Sequence, residues 1–259
     1  MTARAWTVVL GQELRDLWLG RGVPLCLAFS GLVGVIAYLT AASTDLTYIE
    51  QREAVNLVLQ VTVAVGGLLT LLLASDAISG ERERGTLEGL LLSPVSRRQL
   101  AVGKLLAALS MWPAAYLIAV PYAWYLGRGV GVLGDALLGA LVVGSILALA
   151  MASFGILVSV FAESNRAGLS ISLFVLLALY APTQLPASAQ DGWAGELLLR
   201  LDPVTAADHV IAALVIDSSP WGDQVAWLAS PLVVAVGLGL VAVPVVAGRR
   251  LRLGRGATA

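Results

Sequence analysis

Apolar residues fall in long unbroken runs separated by short polar stretches. Six such runs, at residues 23–42, 55–78, 105–127, 132–162, 167–185 and 225–247, match the ~20 residues that a helix needs to cross a hydrocarbon core of about 30 Å. The fourth is longer than one perpendicular crossing requires, so it tilts or leaves residues 132–136 at the interface. None alternates with the period of two expected of a barrel strand. Backbone amides in lipid must be satisfied within the segment, which makes each run a helix. The predicted fold class is therefore all-α, a polytopic membrane protein with six transmembrane helices in a single domain over residues 1–259.

Two other stretches carry helical periodicity. From Trp6 to Trp18 the residues Trp6, Val9, Leu10, Leu14, Leu17 and Trp18 recur at three- and four-residue steps, opposite Gln12, Glu13, Arg15 and Asp16. An amphipathic helix within residues 1–22 is expected on the inner membrane face, set apart from the first span by a break at Gly20, Gly22 and Pro24. Residues 186–224 form a long outer segment in which "GELLLRL" and "TAADHVIAALVI" have helical spacing. Short helices capping the outer mouth are expected there, with Trp193, Trp221 and Trp227 in an interfacial belt.

Composition agrees with a bilayer as solvent. Hydrophobic residues make up 58% of the chain and charged residues 13%, and the mean hydropathy is +0.87. A charged share about half that of an average soluble domain leaves more apolar surface than one core could bury. Glu13 and Asp16 precede the first apolar run and no small-residue cleavage site follows it, so no cleaved signal is expected. Cys26 is alone and is expected to pack between helices. Pro113 and Pro121 are expected to kink the third span. Ala140, Gly144, Ala148 and Ala152 make a ridge of small residues suited to close helix contact. Richness in Ala, Leu, Val and Arg points to a high-GC bacterium.

Charge distribution orients the chain. With the N-terminus inside, 13 of the 16 Lys and Arg residues fall in inner segments, leaving Arg52, Arg128 and Arg200 outside. Both termini are expected to be cytoplasmic, in the inner (plasma) membrane of a bacterium. The densest charge, "SGERERGTLEGLLLSPVSRRQL" in residues 79–100, then joins spans two and three on the cytoplasmic side. Gly80 and Gly85 bracket it as turn points. Thr86 is placed to cap a short helix with Leu87, Leu90 and Leu91 on one face, and Ser93-Pro94 ends that helix. Ser96 and Gln99 form a capping-box pattern that starts the next one. Such a helix lies either on lipid or in a groove of another protein. Glu81, Glu83 and Glu88 would be repelled by an anionic leaflet, whereas a partner groove uses both signs for specificity.

"GERERGTLEGLLLSPVSRRQLAVGKLL", residues 80–106, resembles the hallmark cytoplasmic segment of ABC exporter permeases of the type-2 class. These are six-span subunits with the type V exporter fold, among them the permease of nitrous-oxide-reductase maturation and drug-export permeases. "GQELRDLWLGRGVPL" is similar to that family's connecting helix, and "FAESNRAGLSIS" to its tight turn between spans four and five. The resemblance implies that residues 79–98 hold a coupling helix docking on a separate cytoplasmic ATPase, touched by Glu81, Arg82, Glu83, Arg84, Thr86, Leu87, Glu88 and Leu91. Arg97 and Arg98 either bind lipid phosphates, pin span three or simply satisfy the positive-inside bias, and Lys104 is read as an interfacial anchor. The working unit implied is two copies of the permease, identical or related, with two ATPase subunits, surrounded by lipid. No nucleic acid is expected as a partner.

The chain itself is expected to bind no cofactor. A phosphate loop needs a glycine five residues before Gly103-Lys104, where Arg98 stands, so ATP and magnesium belong on the partner. A cargo cavity, which the resemblance places between spans two and five, makes Asn56, Gln60, Thr70, Ser170 and Ser172 its candidate lining. Interhelical hydrogen bonds are the alternative use of these side chains. An intramembrane enzyme would need a nucleophile and base, or paired acids, at membrane depth, and no such set stands out. A remaining alternative is a membrane partner that uses ATP to act mechanically on an extracytoplasmic protein through residues 186–224.

Overall fold

The computed structural model describes residues 3–42, 47–86, 96–185 and 192–248. Among these every regular element is a helix, with no strand. Helices α1 (Ala3–Leu17), α2 (Val23–Ala42), α3 (Tyr48–Arg84), α4 (Arg97–Leu109), α5 (Met111–Leu126), α6 (Leu133–Phe161) and α7 (Asn165–Tyr180) are followed by α8 (Trp193–Leu201), α9 (Pro203–Val215), the single turn α10 (Trp221–Gln224) and α11 (Ala229–Gly248). Six helical stretches are long and apolar enough to cross a membrane: Val9–Ala41, Tyr48–Arg84, Arg97–Leu126, Leu133–Phe161, Asn165–Gln184 and Ala229–Gly248.

The centre of the bundle is the pairing of α3 with α6, its largest interface. Small residues allow it. A Cβ on Gly155 would lie 2.6 Å from the Ala74 Cβ and 2.7 Å from the Leu71 carbonyl oxygen. One on Gly144 would lie 2.1 Å from the Trp112 ring, which packs from α5. Ala140, Ala148 and Ala152 are fully buried along the same ridge. Polar links also cross between helices: Trp112 Nε1 donates to Ser145 Oγ at 3.0 Å, and the Ser30 and Tyr122 hydroxyls meet at 3.0 Å between α2 and α5.

Three local expectations need correction. Gly20, Gly22 and Pro24 do not break the chain. Trp18–Gly22 forms a π-helical turn in which the Val23 N–H bonds to Trp18 O, five residues back. The wider turn carries the ladder past Pro24, which has no N–H to give. Gly22 admits the Trp18 ring against its backbone, so α1 and α2 make one stretch. Gly80 is not a turn point either. It is buried inside α3, and its missing Cβ leaves room for the Asp76 carboxylate, whose Oδ1 would lie 2.2 Å from one. Gly85 does end α3, with φ 70°, the left-handed cap that glycine adopts without steric cost.

The third span is interrupted at Ser110, between α4 and α5. Pro113 explains the position, since a proline cannot bond to, and crowds, the carbonyl four residues back, here Leu109. Pro121 stays inside α5. In the outer segment, α9 does not cap the bundle but enters it. Val204, Ala207, Val210, Ile211, Leu214 and Val215 are all at most 2% exposed, packed mainly against α6 and α3. Asp202 starts this helix, accepting from the Val204 and Thr205 amides at 3.3 Å each, with Pro203 behind it.

Candidate coupling end and transport cavity

The Arg84 end of α3 is fastened by charge to three neighbours. Glu81 Oε1 accepts from Lys104 Nζ at 2.5 Å, and the same ammonium lies 2.9 Å from Glu13 Oε1. One buried cation thus joins α1, α3 and α4. Lys104 is 2% exposed, so its expected role as an interfacial anchor is replaced by that of a buried bridge. One turn away, Arg21 donates to Asp76 Oδ2 at 2.6 Å, with Arg84 at 3.8 Å from the same oxygen. Gly103, beside Lys104, serves packing: a Cβ there would press on Val9 at 3.2 Å. Trp18 Nε1 donates to Ser110 Oγ at 3.1 Å, tying the π-helical turn to the junction of α4 and α5.

The other charges of this run reach the turn between α6 and α7. Arg82 donates to the Ala162 carbonyl at 2.7 Å, and Glu83 Oε1 accepts from the Asn165 amide at 2.7 Å. Ser159 Oγ, fully buried in α6, accepts from both the Ile78 and Ser79 amides at 2.9 Å, while Ser79 Oγ meets Asn165 Oδ1 at 3.1 Å. Thr86 is exposed, its Oγ1 bonding to Glu81 O at 3.4 Å. Leu87, Glu88 and Leu91 lie outside the described residues. At Ser96 the capping box is complete, Gln99 N to Ser96 Oγ at 3.3 Å and Ser96 N to Gln99 Oε1 at 3.1 Å. Between α1, α3 and α4 these ion pairs line a polar cleft of about 650 Å³.

The five candidate cavity residues do not converge. Thr70 is buried and gives its hydroxyl to Gly66 O at 2.8 Å. Asn56 and Ser172 are buried among helices, the Asn56 Oδ1 and Ser172 Oγ without partners among the described residues. Ser170 is exposed on α7. Gln60 lines a cavity of about 460 Å³ toward the Tyr48 end of α3, walled also by Leu57, Val61, Tyr180, Asp208 and Trp227. Sequence reasoning missed Asp208 and Tyr180 there because α9 was expected at the surface. It also missed the Glu13, Arg21 and Asp76 partnerships. Their signal was available: a lysine and several acids adjoining apolar runs call for counter-charges.

Over residues 9–254 the sequence matches the family described as ABC-2 family transporter protein. The chain belongs to the ABC-2 transporter family. Among curated proteins, this ABC-2 chain is 36% identical over 105 residues to the probable ABC transporter permease protein NosY of Pseudomonas aeruginosa, and 35% identical over 105 residues to that of Stutzerimonas stutzeri. In each case the match covers 39% of the chain and 37% of the relative's length. The ABC-2 assignment agrees with the six apolar helices and makes the chain a multi-pass membrane protein.

Proposed function

We propose that this chain is the permease subunit of an ABC exporter, driven by a separate cytoplasmic ATPase that docks on residues 79–98. The observation that carries the reading is the anchorage of the Arg84 end of α3: Lys104 and Arg21 tie it to α1 and α4, and Arg82 and Glu83 tie it to the turn before α7. Force applied beyond Gly85 would reach three parts of the bundle at once. Two copies of the chain with two ATPase subunits form the working unit, and alternating access follows from rocking of the two permeases. ATP and magnesium are held by the ATPase. The chain sits in the bacterial inner membrane with both termini cytoplasmic.

Within the charged run, the exposed Glu83, Arg84 and Thr86 are the described residues best placed to meet the ATPase, together with Leu87, Glu88 and Leu91. Glu81 and Arg82 act from behind, holding the base of the segment. Glu88→Arg and Leu91→Asp should each abolish co-purification of a co-expressed cognate ABC ATPase while the permease still inserts. Undiminished co-purification in both variants would end the docking assignment. The mechanical alternative has less to grip, because α9 is committed to the core. For orientation, Arg15→Cys and Glu53→Cys, both at exposed positions, should react with an impermeant maleimide from opposite sides of sealed vesicles. Labelling from one side would overturn the topology.

A further inference from the structure

The cavity of about 460 Å³ beside Gln60 falls within the size range of small-molecule sites, roughly 300–1,000 Å³. Its polar lining is incomplete. Neither the Gln60 amide, the Tyr180 hydroxyl nor the Asp208 carboxyl has a hydrogen-bond partner or ion pair among the described residues, although all three border the same space. Asp208 is the decisive group. Burial, with a smaller contribution from Asp202, pushes its carboxyl up to about 7, the behaviour of an acid taken from water without a counter-charge.

The cations nearby do not supply that charge. Arg200 pairs with Glu196 at 2.8 Å and lies over the Trp227 ring at 5.1 Å. His209 stacks on the same ring, and burial pushes its pKa below the ordinary 6.5, which favours the neutral imidazole. On the opposite wall Leu57, Val61 and Ala64 of α3 bring no charge.

The chemistry of the missing occupant follows. An anion would be repelled by Asp208. A bare divalent ion needs six or more oxygen ligands, several of them charged, and the Asp202 oxygens are already spent on the start of α9. A wholly apolar molecule would leave Gln60, Tyr180 and Asp208 desolvated and unbonded. We propose that this cavity binds an organic ammonium ion, with Asp208 as its counter-charge, Gln60 and Tyr180 as polar contacts, and Leu57, Val61 and Ala64 against its apolar body. This deepens the export reading by naming a cargo class, and rests on that reading only for what the binding serves.

The test is equilibrium dialysis of labelled benzyltrimethylammonium against the full-length chain in nanodiscs of zwitterionic lipid, with neopentylbenzene as the uncharged isostere. Saturable binding of the ammonium is expected, at least tenfold weaker in Asp208→Asn and unchanged in Asp217→Asn, whose carboxyl is exposed and does not line the cavity. The isostere should bind wild type and Asp208→Asn equally. A quaternary ammonium cannot lose a proton, so pH acts through the protein. Asp202, Tyr180, His209 and Arg200 are the titratable groups facing Asp208, whose own carboxyl is pushed up to about 7. If only its ionised form binds, affinity rises about tenfold from pH 6 to pH 8 as the competent fraction grows.

Should Asp208→Asn fail to fold, the pH series on wild type and a several-fold loss in Gln60→Leu decide the matter. No saturable binding, a flat pH profile, or equal affinity for ammonium and isostere would overturn the proposal. ATPase co-purification is read separately. Its persistence without ammonium binding would leave the permease reading standing, and the reverse result would remove docking while keeping the site.

Discussion

Exchanging Lys104 for methionine should lower the stability of the folded chain by about 3–5 kcal/mol, the usual cost of removing one partner from a buried ion pair. The Lys104 side chain is 1% exposed, and its partners Glu13 and Glu81 are 20% and 15% exposed. Without the ammonium, two largely buried carboxylates are left facing one another without their shared counter-charge. Thermal unfolding of the purified chain in detergent measures the loss. Had Lys104 reached the interface as a solvated anchor, the change would stay below ~1 kcal/mol, so the experiment separates the two arrangements. The triple variant Glu13→Gln, Glu81→Gln, Lys104→Met should recover much of the stability, because replacing all members of a buried ionic set removes the uncompensated charge.

A second large effect is expected at Gly155. Alanine is the better helix former by about 1 kcal/mol, and at Gly237, with nothing within 4 Å of a Cβ, that gain should appear as an unchanged or raised melting temperature. At Gly155 the sign reverses. The added methyl would meet Ala74 at 2.6 Å and the backbone of α3 at Leu71 O, 2.7 Å away. Backbone in the middle of a buried helix cannot swing aside as a side-chain tip can, so α3 and α6 must separate along their shared ridge. Overpacking of this kind typically costs about 1–3 kcal/mol, and Gly155→Val should exceed Gly155→Ala. Equal melting temperatures for Gly155→Ala and Gly237→Ala would contradict the close approach.

The features legible in the sequence were those that a short window determines. Apolar run length located six crossing helices; Gly85 and the Ser96–Gln99 pair marked a stop and a start that the backbone adopts; the ridge from Ala140 to Ala152 announced a tight contact. The misread features depend on what arrives from elsewhere in the chain. Gly80 reads as a turn until Asp76 needs the space of its absent side chain. Lys104 reads as an anchor until Glu13 and Glu81 are brought to it from two other helices. Apolar spacing correctly made residues 203–215 helical, but a window of one helix cannot show whether its polar positions meet water or a cavity, and so Asp208 went unnoticed. The candidate cavity was legible only at Gln60 for the same reason. Asn56, Thr70 and Ser172 are polar at membrane depth, yet periodicity along α3 or α7 does not say which neighbour covers each face.

The length of α3 gives its tight crossing with α6 a mechanical meaning. At 1.5 Å per residue, its 37 residues form a rod of about 55 Å. Ala74, pressed against Gly155, stands ten residues from Arg84 and fourteen from Gln60, or roughly 15 Å and 21 Å along the axis. A rigid tilt about that contact would work as a lever with unequal arms. Each ångström of travel at the Arg84 end would move the Gln60 wall of the far cavity about 1.4 Å in the opposite sense, so that a modest stroke at one end is geared up at the other.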